Sequence, residues 1–156
     1  MQFRTLLDRF TAAVEANDTE AFCGLFAPDG TYDDVFYGVF RGHDELVRML
    51  REHFHGNAED FRWQMHEPVC DGHIGYANYT FSYTSTMKHS AGRRVLFTGC
   101  SQFRLDGSGK IAAYREWAFA TAGLAQLEAP PEVLVRQARR ESERVRAHAD
   151  RKTHRI

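Results

Sequence analysis

The sequence predicts an α+β domain, with helices segregated from a mostly antiparallel sheet. Three observations predict it. Residues 3–54 carry three apolar stripes at helical spacing. From about residue 61 to residue 118 the pattern changes to period two. The long period-two runs are joined by the short turn segments "KHSAG" and "DGSGK", which suit a meander of antiparallel neighbours.

In chain order, Phe3, Leu6, Leu7, Phe10, Ala13 and Val14 form the stripe of a first amphipathic helix. Asp18 is a fitting N-cap for a short second helix carrying Phe22, Leu25 and Phe26. "APDG" is expected to end that helix with proline and a turn. "GTYDDVFYG" then reads as a strand, followed by a short extended piece between Gly38 and Gly42. Asp44 and Glu45 fall in the first turn of a third helix, where the helix dipole favours negative charge. Leu46, Val47, Leu50 and Phe54 are its stripe. Four strands follow: "FRWQMHEPV", with Pro68 marking a bend or edge, then "IGYANYTFSYTSTM", "RRVLFTGCSQFRL" and "IAAYREWAFA". The chain divides into a domain over residues 1–129 and a charged helical tail over 130–156, which begins at the pair Pro130–Pro131. The tail balances at +4 and the remainder at −5. Its weak apolar stripe predicts a solvated helix with a basic, fraying end.

Composition excludes several classes. The formal net charge of −1 argues against a dedicated nucleic-acid binder. Three widely spaced cysteines, Cys23, Cys70 and Cys100, form neither a CxxC pair nor a zinc pattern, and read as reduced thiols of a cytoplasmic protein. No 18-residue apolar run is present, so no transmembrane helix and no membrane partner are expected. The histidines show no HxxxH or HExxH spacing, so no metal is expected. Twenty aromatic residues supply contact area for a core or a pocket.

Asp33 and Asp34 stand side by side in the first strand. A strand turns neighbours to opposite faces, so one carboxylate should point inward; the pattern alone leaves open which.

The order of elements, with "LFAPDGTY", "YDD…G…FRGHDEL", "DGSGKI" and "YREW" running into "AGLAQL", resembles the SnoaL-like group of the nuclear transport factor 2-like superfamily over about residues 3–128. That group is similar to polyketide cyclases, ketosteroid isomerases and limonene epoxide hydrolases. The resemblance implies a cone: a curved sheet closed by three N-terminal helices. It implies that Tyr32 and Asp34 look into the cone, turning Asp33 outward, and that Glu116 stands at a pocket carboxylate position. It also implies an acid/base enzyme of isomerase, cyclase or dehydratase type that needs no cofactor. A non-catalytic ligand-binding module or a protein-interaction adaptor on the same fold is the alternative. The "D-x-x-G-L-x-x-Q-L-G" stretch of many cyclases is broken here, because Ala120 stands for its Asp and Glu128 for its last Gly.

The expected roles follow. A carboxyl buried among aromatics is poorly solvated, which raises its pKa and suits proton transfer near neutral pH. Asp34 is the expected base, Glu116 the acid or second polar anchor, and Tyr32 a hydrogen-bond donor to a developing oxyanion. The bland alternatives are that Asp34 accepts strand-end amides or pairs with an arginine such as Arg41, and that Tyr32 is a core aromatic. Trp63, Met65, Asn78, Ser82, Phe97, Ser101 and Tyr114 are expected to line the binding surface, with His53 at its edge. The expected ligand is small, apolar and oxygenated. Tyr79, Phe81 and Tyr83 are placed on the outer face, where they would serve a homodimer through the sheet.

Overall fold

A computed structural model describes residues 2–155. Met1 and Ile156, the outer ends of the two expected segments, lie outside the described residues. The chain forms helices α1 (Phe3–Glu15) and α2 (Thr19–Cys23), strands β1 (Phe26–Asp34) and β2 (Gly38–Arg41), and helix α3 (Gly42–Arg48). Helix α3 continues into a π-helical segment, Met49–Phe54. Strands β3 (Ala58–Cys70), β4 (Ile74–Ser85), β5 (Arg94–Leu105) and β6 (Ile111–Ala118) follow, then helices α4 (Ala120–Gln126), α5 (Pro131–His148) and α6 (Arg151–His154).

The six strands make one sheet in the order β2-β1-β6-β5-β4-β3. Only β1 and β6 pair in parallel; the other pairings are antiparallel. Register shifts within the β1–β6, β3–β4 and β5–β6 pairings mark bulges, which bend strands and give the open sheet its curvature. The expected turn at "APDG" is instead the first part of β1. Pro28 is tolerated there because pairing to β6 is interrupted between Phe26 and Thr31.

Helix α1 buries Leu6, Leu7, Phe10, Ala13 and Val14, the stripe read from its periodicity. Phe10 is the hub of the core, its ring against those of Phe22, Phe26, Tyr32, Trp63, Phe103 and Tyr114. Asp18 caps α2, its side chain accepting from the Ala21 amide at 2.9 Å. Asp44 and Glu45 lie in the first turn of α3, and Glu45 accepts from the Arg41 amide at 2.7 Å.

Strand β4 is turned over relative to expectation. Tyr79 and Phe81 are buried in the core, against Trp63 of β3 and, for Phe81, Phe97 of β5, with Tyr83 packed beside them. Asn78 is exposed, and Ser82 and Thr84 hydrogen-bond the surface Arg94. The reason is physical. The strand alternates aromatic with polar, and burying the aromatic side removes far more apolar area from water. Cross-strand register enforces the same choice, because Tyr79 pairs with Gly99 and Phe81 with Phe97, which share the inner face of β5.

Candidate active site

The concave face of the sheet, roofed by the π-helical segment, encloses a cavity of about 50 Å³. Its wall is mostly aromatic, including Phe36, Phe54, Phe61, Trp63, Phe81 and Phe97. Asp34 and Glu116 line it together, with Tyr32, Tyr37, His53, Asn57 and Tyr83 as further polar groups.

Glu116 is buried near the middle of β6. Its Oε2 accepts from the Tyr79 hydroxyl at 3.0 Å and the Tyr114 hydroxyl at 2.9 Å. The Ser101 hydroxyl lies 2.9 Å from that of Tyr114, extending the network one strand further. Burial, then the nearby charge of Asp34, pushes the Glu116 carboxyl up to about 8, against the opposing pull of the two tyrosines. Arg115 points to the other face, its guanidinium 4.5 Å from the centre of the Trp117 ring, so it does not neutralise Glu116.

Asp34 ends β1 and is buried. Its Oδ1 accepts the amides of Phe36 at 2.7 Å and Tyr37 at 2.8 Å, an Asx-type closure of the β1–β2 turn. Burial raises its pKa to about 6; the two amides and the Arg144 guanidinium restrain the rise. Asp34 thus makes the strand-end bonds weighed in the sequence. The arginine beside it is Arg144 of α5, not Arg41, which stands opposite Thr31 at the far end of the β1–β2 pairing.

Two donors in the wall lack partners. The Tyr32 hydroxyl and the Trp63 indole Nε1 are buried without a hydrogen bond among the described residues. Burial, then the nearby charges of Glu116 and Asp34, raises the Tyr32 pKa and keeps the phenol neutral. A buried donor without a partner costs free energy, which a ligand oxygen would recover.

The structure therefore brings Tyr32, Asp34, His53, Trp63, Phe97 and Glu116 to one cavity. Tyr114 and Ser101 stand behind the wall as hydrogen-bonding support for Glu116. Met65 packs against the core but lines a separate shallow surface depression beside α1. Asn78 and Ser82 lie on the outer face, away from the cavity: Asn78 donates to Glu67, and Ser82 accepts from Arg94. Sequence reasoning missed Tyr79, the second tyrosine on Glu116, and Tyr37, Asn57, Phe61, Phe81, Tyr83 and Met87 of the wall. For Tyr79, Phe81 and Tyr83 the missing signal was the pairing to β5. Asn57 had none, since it follows the π-helical segment in a turn. Among the described residues, no group of three or more His, Cys, Asp or Glu side chains is placed to hold a metal ion.

A curved, open sheet flanked by helices, with two buried carboxyls in an aromatic hollow, defines an α+β cone-type fold. The SnoaL-like domain model matches residues 7–114, and the chain belongs to that family. The fold recurs in solved structures. A hypothetical protein with ketosteroid isomerase-like fold from Catenulispora acidiphila, in complex with trimethylamine, is 18% identical, with TM-score 0.71 over 80% of this chain and 93% of that one. An LEH-like epoxide hydrolase from M. tuberculosis is 21% identical, with TM-score 0.63 over 79% and 86%. IdmH, a putative polyketide cyclase from Streptomyces antibioticus, is 16% identical, with TM-score 0.68 over 83% and 100%. No curated protein matches the sequence.

Proposed function

We propose that this chain is a cofactor-independent enzyme of isomerase, cyclase or dehydratase type, acting on a small, apolar, oxygenated substrate. The observation that carries this reading is the pair of buried carboxyls in one aromatic cavity, with Asp34 pushed less far up than Glu116. Near neutral pH one proton then sits on Glu116 while Asp34 is ionised. Asp34 removes a proton through Oδ2, since Oδ1 is held by the turn amides. Glu116, its Oε2 occupied by two tyrosines, offers the proton on Oε1 to the substrate oxygen. Tyr32 adds a second donor to that oxygen, and the aromatic wall excludes water. The polyketide cyclase and epoxide hydrolase among the structural relatives are in keeping with small-molecule chemistry, including natural-product biosynthesis.

The test is deuterium wash-in from heavy water beside the carbonyl of a panel of small cyclic ketones and enones, read by NMR. Wild type is expected to exchange at least one compound, and Asp34→Asn and Glu116→Gln to lose roughly 100-fold or more of the rate while keeping their melting temperature. Equal rates in all three proteins sink the assignment.

A second reading, a ligand-binding module without turnover, draws on the two turn amides that already occupy Asp34. It predicts saturable binding that survives Asp34→Asn with no exchange in any protein. We further propose that two copies pair through the outer sheet face, where Tyr76, Leu96 and Trp117 are exposed.

A further inference from the structure

Helix α5 reaches back to the base of the cavity. Gln137, buried, donates from Nε2 to the Val35 carbonyl at 3.0 Å. Arg144 donates to the Asp34 carbonyl at 2.8 Å, and its other terminal nitrogen lies 3.0 Å from the Asp33 carboxylate. Seven residues are two helical turns, so Gln137 and Arg144 share one stripe of α5. Glu141, one turn after Gln137, accepts from it at 3.2 Å and orients the amide. Asp33, Asp34 and Val35 thus each receive a polar group from a helix a hundred residues away. The tail is not simply a solvated appendage; its one ordered polar stripe is spent on the segment that carries Asp34.

We propose that Arg144 is a positioning residue for Asp34: α5 straps the end of β1, fixing the backbone that carries Asp34 and supplying the positive charge against which its carboxylate ionises. This rests on the reading of Asp34 as the base. Several charged or titratable groups face Asp34. Asp33 precedes it on β1, Tyr37 follows in the turn, Glu116 opposes it from β6, and Tyr79 and Tyr83 approach from β4. His53 shares the cavity wall, its ring 4.7 Å from that of Tyr37. The acidic groups in this set oppose a second negative charge. Arg144 acts in the other direction, directly on Asp34 and by pairing with Asp33. The Arg144 and Asp33 side chains are 28% and 24% exposed, so solvent screens the interaction only in part.

The test needs no substrate. Protein labelled with ¹³C at aspartate carboxyls is titrated by NMR, with the Asp34 signal assigned by its loss in Asp34→Asn. In Arg144→Gln the Asp34 midpoint is expected to rise by roughly 0.5 or more, a difference that shrinks in high salt. Arg144→Lys, which keeps the charge, is expected to titrate near wild type. A parallel series in His53→Gln separates any charge on that imidazole. An unmoved midpoint in Arg144→Gln overturns the proposal, even if the variant melts earlier, because a merely structural strap changes melting alone. A Lys variant that titrates like Gln overturns the electrostatic part. The two readings fail separately: if Asp34→Asn keeps turnover, Asp34 is not the base, whatever the titration shows. If Asp34→Asn is inactive and the midpoint ignores Arg144, only the positioning role falls.

Discussion

Gly99 sets the reach of Tyr79 toward Glu116. It faces Tyr79 across β4 and β5, and a Cβ built there would stand 2.5 Å from the Tyr79 hydroxyl and 2.4 Å from the Trp117 carbonyl. Tyr79 needs that space to donate to Glu116. Gly99→Ala is therefore expected to push the phenol off the carboxylate and to cost about 1–3 kcal/mol of overpacking. Denaturant unfolding measures the cost; an unchanged midpoint would mean that Tyr79 shifts without strain and that its bond to Glu116 is dispensable. Gly99 shares the inner face of β5 with Phe97, Ser101 and Phe103, and nothing in that strand's sequence says what it makes room for. A close approach is a property of two strands, and one strand's alternation does not contain it.

At the scale of elements, legibility followed periodicity. The stripes of α1 and α3, the Asp18 cap and the long strands were readable because burial repeats at fixed spacing. Choosing which face of β4 is buried was harder. Asn78 and Ser82 are expected inward as a polar stripe, yet β4 turns Tyr79 and Tyr83 inward instead, and the cavity's carboxyls come from β1 and β6. The outer face that remains carries Tyr76, Leu96 and Trp117, which are 37%, 52% and 47% exposed, with Arg115 stacked on Trp117. If that face pairs two copies, light scattering on the eluting peak should report a dimer for wild type. Trp117→Glu or Leu96→Glu should then run as monomers with intact circular dichroism. A wild-type monomer under the same conditions refutes the pairing. The π-helical turn at Met49–Phe54 had no sequence signature, since six residues make little more than one turn and set no period of their own.

In the whole molecule, three distant parts of the chain converge around Asp34. β1 brings Asp34, β6 brings Glu116, and α5 brings Arg144 to the back of Asp34. The resemblance pointed to the two carboxylates; the arginine was not legible, because nothing in a basic, exposed helix marks one of its five arginines as different. The sign of the pH dependence follows from both carboxyls. In the proposed division of roles Asp34 is ionised, which favours pH above about 6, and Glu116 holds its proton, which favours pH below about 8. Turnover should peak between those limits. The most direct measurement is infrared spectroscopy of the buried carboxyls at pH 7 in wild type, Asp34→Asn and Glu116→Gln. We expect a protonated carboxyl band that is absent in Glu116→Gln and titrates away near pH 8, together with an Asp34 that is already ionised. An ionised Glu116 at pH 7, or a proton that resides on Asp34 instead, would contradict the division of roles between them.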